Sequence, residues 1–284
     1  MTTFPTTSHP AQRARPAKRA RFALTAAIAA MAVATAGSTA TATAATTATA
    51  TIATTATAAT TSAVAPVVAA DRPEADRIVR GADIARVLFY TRATARPAGG
   101  RVLAALAPTA PHGGGPTQLR VVAQRVIRGA LRVRVLLPQR PNGAAGWISG
   151  DDVALLQTPY RVWIDRAKRT VAVTFRGRRV KRFAAVVGRS QSPTPAGQFA
   201  ISELLAQRPS HPLLGGWVIP LTAFSGTYLE FGGGPGRIAI HGRAGALLGD
   251  PLGSAASHGC IRIANEAIAW IAHRVPSGAA VTIR

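Results

Sequence analysis

One cysteine, Cys260, stands in a chain of 284 residues, which excludes any intramolecular disulfide. Also missing is a run of about 20 strongly apolar residues of the kind that spans a bilayer. The nearest approach, FALTAAIAAMAVATAG at residues 22–37, is short and rich in Ala and Thr. Acidic residues are scarce: 11 Asp plus Glu face 34 Lys plus Arg, for a formal charge of +23. A surplus of this size attracts polyanions. Yet there is no zinc-finger spacing, no basic helix and no basic stripe interleaved with aromatics, so a nucleic-acid partner is not expected. The positive charge is scattered arginine, densest in RAKRT (166–170) and RGRRVKR (176–182), which read as turn and edge positions of hairpins.

What is present begins with a leader. A basic stretch, RARPAKRARF (13–22), precedes the mildly apolar run, and small residues follow in STATATAA. This order matches a secretory signal peptide over residues 1–44, with cleavage near Ala42 or Ala44. An uncleaved signal anchor is the alternative, and Lys18-Arg19-Ala20-Arg21 lacks the adjacent arginine pair of a twin-arginine signal. Residues 39–70 are almost entirely Ala and Thr; nothing there can offset the entropy of ordering, so a flexible tether is expected over residues 45–74. An exported chain meets the carboxylates and phosphates of a cell wall, or anionic lipid heads, as partners for its positive surface. It also sits where thiols oxidise and cysteines normally pair. A lone thiol there needs a use, the bland alternative being a small buried hydrophobe.

Past the tether, the patterning predicts two mainly β units. In residues 75–157, ARVLFYT, LRVVAQRV and the alternating LRVRVLLP read as short strands. Asn142-Gly143 reads as a hairpin turn, and ARPAGG and PHGGGPT read as loops. A small barrel or sandwich closes so many short strands. In residues 158–284, YRVWID, TVAVTF and VKRFAAVVG read as a meander of hairpins, and a turn at Thr194–Gly197 leads into another strand. RIAIHG and AAVTIR are strands, and residues 204–236 are irregular. ANEAIAWIAHRVP is the one main helix, with Asn265 as its cap, Ile268, Ile271 and Val275 on one face, and Pro276 as its stop.

The stretch SAASHGCIR, residues 254–262, holds the thiol. Cysteine catalysis needs a thiolate, a base and donors for a developing oxyanion. Gly259 permits a sharp turn, so that the amides of Gly259 and Cys260 could point at one oxygen. Two histidines are candidate bases. His258 shares a face with Cys260 in extended chain, and His241 ends a strand that could pair with GCIRI. Spacing alone leaves both open. His241, His258 and Cys260 also make a three-ligand zinc set, but only Asp250 stands near as a fourth ligand and H-x-C is not a usual ligand pair. No metal and no cofactor is expected. His9, His112 and His273 read as bland, and His211 only as near the cleft.

IHG and then SHGCIR, with fifteen residues between His241 and Ser257 and a helix following, resembles the signature of the L,D-transpeptidase catalytic domain, the YkuD family. VGRSQSPTPAGQFAI and PSGAAVTIR resemble further parts of that family, so the likeness covers about residues 158–284. It implies a β-sandwich or barrel with one main helix, acting on peptidoglycan stem peptides through a Cys260 thioester. By the resemblance His241 is the general base, the Gly242 carbonyl orients its imidazole, and His258 and Gly259 shape the oxyanion site. Arg262 would hold the loop or meet a substrate carboxylate, and Ser257, Trp217 and Tyr228 are expected at the substrate. The irregular 204–236 stretch would be a lid over the cysteine, or its aromatics would complete the core. An amine acceptor would give a cross-link, water an L,D-carboxypeptidase; a non-catalytic wall-binding protein is the rival class. LPQRPNGAAGWI resembles a small Src-homology-three-like barrel, a wall-positioning module or a spacer. A monomer is expected.

Overall fold

The computed structural model describes residues 77–78 and 81–284. The expected signal peptide (1–44) and tether (45–74) lie outside the described residues.

The N-terminal part is all strand: β1 (Arg77–Ile78), β2 (Ile84–Val87), β3 (Thr91–Arg96), β4 (Gly99–Leu106), β5 (Gln118–Ile127), β6 (Ala130–Leu136), β7 (Ala145–Ser149) and β8 (Val153–Leu156). They hydrogen-bond in the order β4-β3-β7-β6-β5-β2-β8, with β1 beside β5. Alternating side chains such as Val133 and Val135 on β6 turn inward, where Ala85, Leu119, Val121 and Ile148 complete a small core. Two local expectations change. Only Ile84–Val87 of the first apolar run is strand, and Leu88, Phe89 and Tyr90 stand exposed beyond it. Asn142-Gly143 does turn the chain within the β6–β7 hairpin, Ala144 N–H donating to Pro141 O at 3.0 Å, but the connection is longer than two residues and is closed by Leu137 N–H to Ala144 O at 2.8 Å.

The C-terminal part adds β9 (Tyr160–Asp165), β10 (Thr170–Phe175), β11 (Arg178–Ala184), β12 (Val187–Gly188), β13 (Gly197–Ala200), β14 (Leu205–His211), β15 (Gly215–Phe224) and β16 (Arg237–His241). A 3-10 turn (Gly245–Gly249) leads to β17 (Ala255–Ser257), β18 (Ile261–Arg262), α1 (Asn265–Ala272) and β19 (Ala280–Ile283). One sheet runs β11-β10-β9-β19-β13 and a second β14-β15-β16-β18, while β12 pairs β17. Val162, Ile164, Val171 and Val281 of the first sheet share one buried core with Ile219, Leu221, Ile240 and Ile261 of the second, so this part is a β-sandwich. Ile268 and Ile271 of α1 are fully buried in the same core. Each contributes about 2 kcal/mol of apolar burial, and together they fix the helix behind β15 and β16.

Residues 204–236 are not irregular throughout. Leu205–Phe224 is a β14–β15 hairpin, and only the stretch from Ser225 to Gly236 lacks regular pairing. Most of β15 is buried because its face packs on the sandwich core, whereas β14 lies at the sheet edge. Asn265 does not cap α1. The N-cap is Ala264, in extended conformation, and the Asn265 side chain is engaged elsewhere.

Candidate active site

Two strand ends bring the chemistry together. β16 and β18 pair in parallel, Ile240 opposite Ile261 and His241 opposite Arg262. Alternation therefore sends His241, Arg262 and the preceding Cys260 to one face while the isoleucines fill the core. That face opens into a cleft of about 590 Å³ lined by His241, His258, Cys260, Arg262, Tyr228 and Phe231 among others.

His241 is buried, and its Nδ1 lies 2.7 Å from the Gly242 carbonyl oxygen. A carbonyl only accepts, so Nδ1 carries the proton and Nε2 the free lone pair. Burial drives the imidazole pKa down from 6.5 to about 4, assisted by the positive charge of Arg262 and opposed by the Gly242 carbonyl. The ring is therefore a neutral base at neutral pH. Cys260 is half-buried and free. Burial pushes its thiol pKa up, against a weaker pull downward from the Ala239 backbone and Arg262. Both partners are thus held in their uncharged forms.

Gly242 has its neighbours to thank for being glycine: a Cβ there would stand 2.1 Å from Asn265 Oδ1. Into that space the Asn265 amide inserts, accepting from Arg243 N–H and donating to Arg243 O, each at 2.9 Å. The amide behaves as a short piece of strand and pins the backbone that orients His241.

The loop that carries Cys260 is braced from inside. Ser257 Oγ donates to Cys260 O at 2.6 Å and accepts from Gly259 N–H at 3.1 Å. Thr194 Oγ1 accepts from Gly188 N–H at 2.9 Å and donates to Gly259 O at 2.8 Å. Gly259 itself has φ of 117°, in the left-handed region that favours glycine.

These contacts revise several expectations. The Gly259 amide is taken by Ser257, so it does not point with the Cys260 amide at one oxygen. Ser257 is fully buried inside the loop and does not line the cleft. Trp217 does not line it either. Val218, its neighbour on β15, faces the cleft, so Trp217 turns to the opposite side, packing on the core and edge-on to His273 at 5.2 Å. Tyr228 does line the cleft, as expected. Its ring centroid is 5.9 Å from that of His258, and Phe231 is 5.3 Å away on the same imidazole. Desolvation lowers the His258 pKa, with the Arg189 and Arg262 charges adding to the effect.

Arg262 is buried and bonded through Nη1 to the Asp250 carboxylate. Asp250 O in turn accepts from Arg243 Nη1 at 2.5 Å. Asp250 is therefore committed to arginine, and among the described residues no group of three or more His, Cys, Asp or Glu is arranged to hold a metal ion. His211, set aside on sequence grounds, lines the cleft and accepts the Leu213 and Leu214 amides on Nδ1. Sequence reasoning gave three residues of the site other parts: Asp250 as a possible fourth zinc ligand, Asn265 as a helix cap and Thr194 as part of the turn before β13.

Residues 159–283 match the family model YkuD, described as the L,D-transpeptidase catalytic domain. The Bacillus subtilis (strain 168) protein carrying the name L,D-transpeptidase YkuD is 27% identical over 154 residues, spanning 52% of this chain and 84% of that protein. A solved structure from Bdellovibrio bacteriovorus is similar at 22% identity and a TM-score of 0.35, over 45% of this chain. The chain spans about half the length of that protein, 48%. An L,D-transpeptidase from Mycobacterium smegmatis is similar at 17% identity and a TM-score of 0.35, over 55% of this chain and 90% of that one.

Proposed function

We propose that the protein is an exported cysteine acyltransferase that cross-links peptidoglycan stem peptides, a reading supported by the match of residues 159–283 to the L,D-transpeptidase (YkuD) family model. One observation carries the reading. A lone cysteine and a buried, neutral, correctly tautomeric histidine share one cleft on paired strand ends.

In this reading Cys260 Sγ attacks the carbonyl that joins the third stem residue to a terminal D-residue. The thiol proton passes to His241 Nε2 as the carbon–sulfur bond forms, because burial disfavours a standing thiolate–imidazolium pair. The Cys260 amide, next to the reacting carbon, donates to the oxyanion. The carbon–nitrogen bond then breaks, and His241 returns its proton to the leaving amine. A second stem's amine attacks the thioester and loses a proton to His241. Expulsion of the sulfur with that proton regenerates the thiol and leaves a new amide.

Tyr228, Phe231 and His258 cluster in the cleft wall, and Leu213 and Leu214 line the same cleft, which suits an extended peptide with an aliphatic side chain. Arg262, neutralised by Asp250, serves as a loop anchor more than as a free carboxylate receptor.

The experiment is mass spectrometry of the purified protein after incubation with a carbapenem, whose strained amide acylates the nucleophile. One adduct, mapping to Cys260 and absent from Cys260→Ala, is expected. Labelling elsewhere, or none at all, would overturn the mechanism.

A further inference from the structure

Through the β6–β7 loop the N-terminal β part touches the Ser225–Gly236 segment, whose Tyr228 and Phe231 line the cleft. Between β6 and β7 the chain is held tight by Ala144 N–H to Pro141 O at 3.0 Å and turns through Gly143 with φ of 82°. It presents Arg140 and Asn142 to the C-terminal part. Asn142 pairs with Phe224 like a strand, donating to its carbonyl and accepting from its amide, both at 2.8 Å. Arg140 donates to three carbonyls in turn: Ser225 at 2.9 Å, Tyr228 at 2.8 Å and Pro235 at 3.3 Å. Its guanidinium also lies over the Phe224 ring at 5.2 Å, and Arg237 lies over the same ring at 5.3 Å.

These carbonyls all belong to the segment between β15 and β16. One backbone bond joins its ends, Ser225 N–H to Gly236 O at 2.8 Å; otherwise Ser225 Oγ accepts the Thr227 and Tyr228 amides, Phe231 exchanges bonds with Gly234, and Gly236 N–H donates to Gly234 O. Where it closes, Gly236 crosses so near the Tyr228 carbonyl that a Cβ would come within 2.2 Å of its oxygen. Arg140 sits at this crossing and ties the two ends of the loop together. The residue whose carbonyl it holds, Tyr228, is the one whose ring meets His258. A planar guanidinium has five donors in a fixed fork, so it can bond several carbonyls at once as no other side chain can.

We propose that Arg140 and Asn142 are positioning residues for the active site: from the N-terminal part they hold the Ser225–Gly236 loop so that Tyr228 and Phe231 press against His258 and wall the cleft. The N-terminal part is then neither a spacer nor only a docking module. It supplies one side of the cleft at second hand. The functional arm of the test rests on the L,D-transpeptidase reading; the geometric arm does not.

The test uses the full chain with Arg140→Ala, Arg140→Lys and Asn142→Ala. The geometric readout is the ring-proton resonance of His258, assigned by its loss in His258→Ala. Two aromatic rings at 5.3 and 5.9 Å displace it from the position of an exposed histidine. Arg140→Ala is expected to bring that resonance back toward the exposed position, and Arg140→Lys to do so in part, since an ammonium cannot span three carbonyls. The functional readout is the rate of carbapenem acylation of Cys260, expected to fall about tenfold in Arg140→Ala, given that misplacement by about 1 Å costs up to 10²-fold. Thermal unfolding is recorded alongside. A falling melting temperature with the His258 resonance and the acylation rate unmoved would overturn the proposal, because Arg140 would then only glue the two parts together. If Arg140→Ala does not fold, the same readouts on Arg140→Lys and Asn142→Ala decide. If the parent protein is not acylated at all, the transpeptidase reading falls while the resonance still judges the loop.

Discussion

Acid should find out His241 before any carboxylate. In the folded chain its pKa is about 4, against 6.5 when exposed, and the leading cause is burial. Above pH 6.5 the imidazole is neutral in both states and contributes no pH dependence. Between 6.5 and 4 the unfolded chain binds a proton that the folded chain refuses, so stability drops as pH falls, and the loss levels off below 4. A shift of this size, at about 1.4 kcal/mol per pH unit, amounts to about 3 kcal/mol. That is a large part of the 5–15 kcal/mol that holds a typical domain together. Asp165 and Glu203 also have lowered pKa values, set respectively by the Lys168 amide and by the His112 and Gly113 bonds that outweigh burial, so their losses come at lower pH. His258 titrates in the same direction as His241, which is why a difference measurement is needed. Denaturant unfolding from pH 7 to 4 should therefore be run on the wild type and on His241→Gln. The wild type is expected to lose about 3 kcal/mol more than the variant over that range. Parallel curves would refute the buried, neutral imidazole on which the proposed proton transfer depends.

The two histidines should separate in kinetics. His241→Ala is expected to lose turnover by about 10²–10⁴-fold, the usual worth of a general base, whereas His258→Ala keeps a residual rate; the reverse order would exchange their roles. Thr194→Val removes the hydroxyl that bonds Gly188 N–H and Gly259 O. It should cost about 3 kcal/mol in unfolding free energy for two stranded buried groups, and a loss under about 0.5 kcal/mol would mean the brace is slack. Asn265→Ala should leave α1 helical by circular dichroism, because Ala264 is the cap, while slowing Cys260 acylation through a freed Gly242–Arg243 backbone; loss of helix signal would show that the side chain holds the helix after all. Dialysis against a strong chelator should change neither rate nor melting temperature, and one equivalent of bound zinc would revive a His241, His258 and Cys260 ligand set.

Some of the site was legible because its chemistry is local. A lone thiol with Gly259 beside it is a nucleophile candidate in any fold, and the period of two in RIAIH and CIRI put His241 and Cys260 at the ends of strands that do pair. Asn265 was misread for a definite reason. Asparagine before an apolar helix is a cap by propensity, but the missing Cβ atoms of Gly242 and Gly215 open a space beside it that only the folded chain creates. The aromatics of residues 204–236 misled in the same way. Trp217, Tyr228 and Phe231 are alike in composition, yet Trp217 sits on a paired strand facing away from the cleft and the other two on the loop facing into it. Asn142 was legible as a turn residue, but nothing signalled its contact or that of Arg140, since their partners lie more than 80 residues away.

Alternation and turn chemistry, which act over a few residues, determined that the described residues make short strands, one α-helix and a thiol presented at a turn. They also determined which histidines could serve that thiol. The tertiary structure alone decided between the histidines' environments. Parallel pairing of β16 with β18 buries His241 and lowers its pKa to about 4, while His258 is left at the cleft wall against two rings. Desolvation and the carbonyl on Nδ1 are properties of a place in the fold. A residue's identity and spacing carry no record of how much water its neighbours will remove.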